Sequence, residues 1–131
     1  MTAPRQILPG TTYLVTRRCS ERRFFLRPSA VTNAIFSYVL AVAATRYRVN
    51  VHALCVLSNH YHLLVTDSDA QLPAFMQYLD GLVARATNAS LGRWEGFWSS
   101  EASYSAVSNG AIADIAAKAA YVLANPVAAG L

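Results

Sequence analysis

The order in which two hydrophobic periodicities follow one another limits the folds open to this chain. Over Thr11–Arg18, Tyr13 and Val15 fall on one face of an extended chain and Thr12, Leu14 and Thr16 on the other, which predicts a strand. Further strands are predicted over Arg48–Leu57, His60–Thr66 and Ala102–Val107. The short Ser58-Asn59 step between the second and third strands predicts a tight turn. Four strands with one direct strand-to-strand turn indicate a mixed fold with an antiparallel sheet.

Helical spacing of apolar residues fills the intervals between these strands. Helices are predicted from Pro28-Ser29 to about Tyr47, from Asp67-Ser68-Asp69 to Gly92, and from Gly110 to Ala124 with Pro126 closing the last one. The acidic and hydroxyl side chains before the second helix supply N-cap oxygens and favourable charge. The whole order predicts an α+β, ferredoxin-like split β-α-β fold, with a four-stranded antiparallel sheet and an appended C-terminal helix.

Composition indicates a single domain over residues 1–131. A hydrophobic content of 54% against 14% charged residues argues against disorder. Met1–Gly10 lacks the apolar core of a signal peptide, and the uncharged stretch Ser29–Thr45 is too short and too polar to cross a membrane. We therefore expect no membrane partner. Cys19 and Cys55 form no disulfide or metal motif, so we expect them to be free thiols in a reducing cytoplasm.

Positive charge is concentrated in the first part of the chain. Residues 1–50 carry eight arginines and one acid, whereas residues 51–131 carry three cations and six acids. Five of the arginines cluster around the predicted loop after the first strand: Arg17, Arg18, Arg22, Arg23 and Arg27. Arginine suits bidentate phosphate contacts and stacking on bases. We predict nucleic-acid contact for this cluster, and the alternative is a solvated basic face.

Two histidines lie side by side in the third predicted strand. Residues i and i+2 of a strand point to the same face, so His60 and His62 project together, while Tyr61, Leu63 and Val65 take the other face. Two adjacent imidazoles can form half of a metal site. The alternative is an ordinary pair of half-buried strand histidines. His52, on the neighbouring strand, is interpreted as a structural histidine.

A second polar group lies on the last predicted helix. Tyr121 and Asn125 are four residues apart and share one face, which Lys118 joins from the preceding turn. Each also has an ordinary interpretation. Tyr121 could be an amphipathic packing residue, Asn125 a helix C-terminal residue before proline, and Lys118 a plain exposed lysine.

Together these two segments resemble a known family. Asn59-His60-Tyr61-His62-Leu63-Leu64 and the segment from Tyr121 through Asn125-Pro126-Val127 to Gly130-Leu131 are similar to the single-tyrosine transposases of the His-hydrophobe-His (HUH) superfamily, especially the REP-associated tyrosine transposases. The resemblance implies that Tyr121 is the catalytic nucleophile and that His60, His62 and Asn125 are metal ligands. The ion would be Mg²⁺ or Mn²⁺, and Mn²⁺ should bind more tightly to a mixed nitrogen and oxygen set.

The activity implied by this resemblance is metal-dependent cleavage and transfer of single-stranded or hairpin DNA through a 5′-phosphotyrosine intermediate. Monomers and homodimers both remain open. One alternative is a domesticated nucleic-acid-binding module without catalysis, against which the intact His60, His62 and Tyr121 argue. Another is a metal hydrolase, against which the lack of an acidic base near the histidines argues. Family members usually continue beyond the point where this sequence ends, at Leu131, so we expect weaker DNA binding if those residues contribute to it.

Overall fold

The computed structural model describes residues 8–107 and 112–128, with the side chains of 101–103 and 125–128 outside the description. Four strands form one sheet: β1 (Thr11–Cys19), β2 (Val49–Leu57), β3 (His60–Asp67) and β4 (Trp98–Ala106). Three α-helices accompany them: α1 (Ala30–Tyr47), α2 (Leu72–Leu91) and α3 (Ile112–Ala128). A short 3-10 turn over Ser20–Arg22 follows β1.

The sheet has the order β2-β3-β1-β4, and every neighbouring pair is antiparallel. The unit β1-α1-β2 therefore encloses β3, and the unit β3-α2-β4 encloses β1, as in interlocked split β-α-β units. The predicted ferredoxin-like sheet with an appended C-terminal helix is confirmed.

The two faces of the sheet are covered differently. Tyr61, Leu63 and Val65 are fully buried on one face, against a core built from α1 and α2. Leu64 and Cys55 lie on the opposite face, in a smaller cluster that includes Val122 of α3. The predicted division of β3 into two faces is thus confirmed, and α3 covers the face that carries the histidines.

The ends of the helices follow local chemistry. Ser29 caps α1 by accepting a hydrogen bond from the Thr32 amide at 3.0 Å. The buried Asp67 carboxylate accepts bonds from the Gln71 and Leu72 amides at 2.9 and 2.8 Å, which fulfils the predicted start signal of α2. Gly92 ends α2 in the left-handed conformation, with φ of 66°.

Two predicted boundaries were wrong. β4 begins at Trp98 rather than Ala102, because Trp98 pairs with Cys19 beyond an irregularity in β1 that the sequence does not reveal. α3 continues through Pro126 to Ala128 instead of ending at Ala124. Pro126 lies in the final turn of α3. Its missing N–H removes a single intrahelical hydrogen bond there, so the helix can continue to Ala128. No helix in the described part of the chain is long and apolar enough to cross a membrane.

Candidate functional site

His60 and His62 lie next to each other at the start of β3. Their ring centroids are 4.9 Å apart and the ring planes are perpendicular. In the register of the sheet, His62 stands between Thr16 of β1 and Cys55 of β2. Directly paired residues of an antiparallel sheet point to the same face, so the histidines share the face on which α3 packs.

Each imidazole uses its Nδ1 in a hydrogen bond. His60 Nδ1 lies 2.7 Å from Asn59 Oδ1, an acceptor, so this nitrogen carries the proton and donates it. His62 Nδ1 lies 2.9 Å from the Thr16 hydroxyl, which can accept in the same way. Metal-binding histidines commonly donate one ring N–H to a neighbour and bind the ion through the other nitrogen. Both rings are thereby oriented with Nε2 as the nitrogen for a ligand bond.

Both histidines are held in the neutral form that a metal ion requires. Burial lowers the pKa of His60 to about 4, helped by the nearby His62 and the positive charge of Arg18. Burial, and then Arg18, also lower the pKa of His62. At neutral pH each ring therefore keeps a single proton, on Nδ1. An incoming cation displaces no proton from Nε2.

The two imidazoles fit half of a divalent metal site. Within residues 8–107 and 112–128, no group of three histidine, cysteine or acidic side chains is placed to share an ion. Cys55 pairs with His62 in the sheet without completing such a group. The predicted third ligand, Asn125, lies in the last part of α3, and its side chain is outside the described residues. A metal site built on these two imidazoles would therefore need further ligands, and Asn125 is the one that the sequence predicts.

Tyr121 lies on α3, the helix that packs over the histidine face. The adjacent Val122 is completely buried in the cluster with Cys55 and Leu64 and so fixes the helix against β2 and β3. Tyr121 itself keeps 58% of its surface exposed. Lys118, one turn earlier, is also exposed. The fold thus brings the tyrosine helix and the two histidines to the same side of the sheet.

The structure separates Arg17 from the other predicted DNA-contacting arginines. Arg17 points to the α1 and α2 face, where its Nε lies 3.3 Å from Asp80 Oδ2 and its Nη1 donates to the Ser99 carbonyl at 2.7 Å. Its guanidinium also lies 5.6 Å from the ring centroid of Trp98. Only 15% of the side chain is exposed. Because its guanidinium is bound to Asp80 and to the Ser99 carbonyl, Arg17 is not free to contact phosphate. The prediction of phosphate contact was wrong for this arginine.

The remaining arginines of the cluster stay at the surface. Arg18 is exposed and stands opposite His60 on the histidine face. Arg22, Arg23 and Arg27 are exposed in the loop between β1 and α1. This basic loop, defined as residues 20–29, keeps the charges at the same end of the sheet as His60.

Backbone hydrogen bonds attach the basic loop to the turn that precedes the histidines. The Cys19 amide donates to the Asn59 carbonyl at 2.8 Å, and the Leu26 amide donates to the Ser58 carbonyl at 2.9 Å. The Asn59 side chain adds a longer contact of 3.5 Å from Nδ2 to the Arg22 carbonyl. Asn59 therefore contacts both His60 and the loop.

The other predicted features keep structural roles. His52 is exposed, and its Nε2 lies 2.7 Å from the Thr66 hydroxyl, at the end of the sheet opposite to His60. Cys19 and Cys55 are buried free thiols, as predicted. Burial raises the pKa of the Cys19 thiol to about 11, which makes it a poor nucleophile.

Sequence reasoning missed the two residues that orient the imidazoles. Asn59 directly precedes His60, and a polar neighbour at that position could have been flagged as its partner. Thr16 could be found only after β1 and β3 were paired in the correct register. Arg93, which lines the basic loop from the α2 side, is 66 residues from Arg27 in sequence and gave no local signal.

Comparisons with known proteins agree with this arrangement. Residues 10–125 match the family model described as IS200-like transposase. No curated protein matches the chain in sequence. Among solved structures, the chain is similar to a REP-associated tyrosine transposase bound to a REP hairpin, with a TM-score of 0.76 and 17% identity over 99% of this chain and 74% of that one.

A second similar structure is a Deinococcus radiodurans R1 protein assigned as a transposase. It has a TM-score of 0.63 and 22% identity over 90% of this chain and 95% of its own. At these identities the two structures support the fold, whereas the family model covers most of the sequence and supports the earlier resemblance. The chain therefore belongs to the IS200-like transposase family.

Proposed function

We propose that this transposase cleaves and rejoins single-stranded or hairpin DNA in a divalent-metal-dependent reaction with Tyr121 as the nucleophile. The observation that carries the proposal is the pair of imidazoles, each oriented through Nδ1, on the face covered by the tyrosine helix. The similar REP-associated transposase is bound to a DNA hairpin, which supports a hairpin as the substrate here.

His60 and His62 would hold the ion through Nε2, and Asn125 would add an amide oxygen. When bound, the ion supplies positive charge against the negative charge that develops on the phosphate in the transition state. Two nitrogen ligands favour Mn²⁺ over Mg²⁺, which prefers oxygen ligands.

Tyr121 would carry the covalent step. Its phenolic oxygen attacks the phosphorus in line, the bond from phosphorus to the 3′-oxygen breaks, and the 5′-phosphate becomes linked to the tyrosine. The phenol proton is transferred in net terms to the released 3′-hydroxyl. Attack by another 3′-hydroxyl on the phosphotyrosine restores the phenol and joins the strands. The exposure of Tyr121 leaves room for DNA to approach.

The test is covalent adduct formation. Wild-type protein and Tyr121→Phe are incubated with end-labelled hairpin DNA and Mn²⁺, and the products are separated under denaturing conditions. We expect an adduct with the wild type and none with Tyr121→Phe, while DNA affinity stays within about twofold because only a hydroxyl is removed. Tyr38, which is 72% exposed on α1, provides a matched control as Tyr38→Phe, with an undiminished adduct.

Two outcomes would contradict the proposal. An adduct of normal yield with Tyr121→Phe would remove Tyr121 as the nucleophile. A wild type that binds the hairpin but forms no adduct with either ion would favour the non-catalytic binding module.

A further inference from the structure

Arg18 faces the histidines, whereas its neighbour Arg17 faces the opposite side of the sheet. Successive side chains of a strand alternate between faces, and in the register of β1 and β3 Arg18 stands directly opposite His60. Its side chain is exposed, and among the residues that the structure describes no ion pair or side-chain hydrogen bond holds it. A guanidinium without a counter-charge in the described chain therefore lies beside the two imidazoles.

The positive charge of Arg18 acts on both imidazoles. Burial is the main cause of the lowered pKa of His60, followed by the charge of His62 and then by that of Arg18. For His62 the charge of Arg18 comes directly after burial. The same charge opposes any positive charge at these ring nitrogens, whether a proton or a metal ion carries it. A divalent ion meets twice the repulsion of a proton, because the Coulomb energy is proportional to the charge.

A lone cation beside half of a metal site lowers the affinity of that site for metal. For charges about 7 Å apart, in surroundings between bulk water and a protein surface, the repulsion of a divalent ion costs about 3- to 30-fold in affinity. An anion placed between the two cations is attracted by both and reverses the effect. The arrangement therefore favours a bound ion when an anion also reaches Arg18, and disfavours the ion alone.

The proposed function brings such an anion to this face of the sheet. Tyr121 lies on α3, which packs over the histidine face, so the phosphate that it attacks must enter between this helix and the sheet. A guanidinium presents a planar fork of N–H donors that suits phosphate oxygens, and it keeps its charge at any working pH. Arg18 is placed to meet the same phosphate as His60 and His62, from the neighbouring strand.

We propose that Arg18 holds the scissile phosphate beside the histidine-bound ion and makes the binding of metal and DNA cooperative. This inference deepens the proposed function and rests on it for the metal and for DNA as the ligand. The guanidinium donates to a non-bridging oxygen of the phosphate and stays protonated throughout. It offsets the negative charge that develops as the bond from phosphorus to the 3′-oxygen breaks. Arg18 is thus a catalytic residue, unlike the exposed arginines of the basic loop.

The first measurement is the affinity for Mn²⁺ without DNA. Arg18→Gln removes the charge and Arg18→Lys keeps it, and both are titrated calorimetrically in the Tyr121→Phe protein. We expect Arg18→Gln to bind Mn²⁺ about 3- to 30-fold more tightly, and Arg18→Lys to stay within about twofold. Arg85→Gln is the matched control: it loses the same charge from an exposed position on α2, beyond the other face of the sheet, and should change nothing.

The second measurement repeats the titrations with saturating hairpin DNA. DNA should tighten Mn²⁺ binding by the parent protein, and Arg18→Gln should lose at least about tenfold of that gain, because the phosphate no longer bridges two cations. Adduct formation is then measured with Tyr121 intact, at saturating DNA and Mn²⁺. It should fall at least about tenfold in Arg18→Gln, and Arg18→Lys should recover part of the loss.

The outcomes separate this role of Arg18 from a structural one. A merely structural arginine would lower Tm in circular dichroism melts and leave both Mn²⁺ measurements unchanged. The inference is overturned if Arg18→Gln does not bind Mn²⁺ more tightly without DNA, or if DNA tightens Mn²⁺ binding equally in parent and variant.

Failure of the proposed function gives a different pattern. A wild type that forms adducts but shows no coupling overturns the role of Arg18 alone. A wild type that shows the coupling but forms no adduct overturns the assignment of Tyr121 as nucleophile. Absence of Mn²⁺ binding both with and without DNA overturns both proposals.

Discussion

Replacing Arg17 should lower the free energy of unfolding of the protein rather than weaken DNA binding directly. In Arg17→Met the long apolar stem is kept, but the ion pair with Asp80 and the 2.7 Å bond to the Ser99 carbonyl are lost. The Asp80 side chain is only 11% exposed and keeps one partner, the Tyr61 hydroxyl at 2.5 Å. A buried carboxylate is thereby left without its counter-charge.

Removing one partner of a buried ion pair costs about 3–5 kcal/mol. The entropy of unfolding is about 2.1 cal/mol/K per residue, or about 275 cal/mol/K for 131 residues, so Tm should fall by about 11–18 °C. The loss should depend on pH. Burial raises the pKa of Asp80 to about 6, against the opposing effects of Tyr61 and Arg17.

Without Arg17 the pKa of Asp80 in the folded state rises further. The folded state then holds this proton more tightly than the unfolded chain, so the stability of the variant falls as pH rises above about 4. At about pH 5 the carboxyl is mostly neutral, and the cost should shrink to about 1–2 kcal/mol for the missing hydrogen bond. At about pH 7.5 the full cost applies.

The assay is thermal unfolding by circular dichroism at both pH values, with Arg23→Met as the matched control. Arg23 is exposed on the basic loop, so its replacement should change stability by less than about 0.5 kcal/mol. Asp80→Asn combined with Arg17→Met should recover part of the loss, since it removes the unpaired charge. Equal stability of Arg17→Met and Arg23→Met at pH 7.5 would refute the reasoning.

Two further predictions concern the metal and the DNA. His60→Ala and His62→Ala should each weaken Mn²⁺ binding at least tenfold in calorimetric titrations and abolish metal-dependent cleavage. Unchanged Mn²⁺ affinity with a lower Tm would instead indicate ordinary core histidines. Arg22→Gln combined with Arg23→Gln should flatten the slope of log affinity for single-stranded DNA against log salt by about 1–1.5, since each phosphate contact contributes about 0.7. An unchanged slope would exclude both arginines from the DNA path.

Alternation along β1 already contained the information that separates Arg17 from Arg18. Tyr13 and Val15 were predicted to share a face of the strand. Arg17 lies two residues after Val15, so its side chain points to that same face, toward the core formed with α1 and α2. Arginines are usually exposed, so the loop cluster was treated as one group. Asp80, which makes burial of Arg17 tolerable, lies on α2, and no local pattern links the two residues.

The fold was predictable because each strand and helix has its own periodicity and the turn at Ser58-Asn59 fixes one pairing. The first residues of β4, from Trp98, were not predictable, because their pairing with β1 depends on an irregularity in that strand. The histidine pair followed from a local pattern. Its orientation depends on Thr16, a contact between residues 46 positions apart. Local spacing therefore identifies the candidate ligands, whereas tertiary pairing sets their orientation.

The position of Asn59 between His60 and the basic loop has a consequence for anyone who re-engineers DNA specificity. Grafting a loop of different length or sequence between β1 and α1 would disturb the bonds from Cys19 and Leu26 that hold the turn around Asn59. The carboxamide that orients the His60 ring would move with that turn. Under the proposed function, a loop exchange intended to redirect DNA recognition would then also change the affinity of His60 for metal. Loop libraries should therefore keep these two backbone anchors and vary only the exposed positions between them.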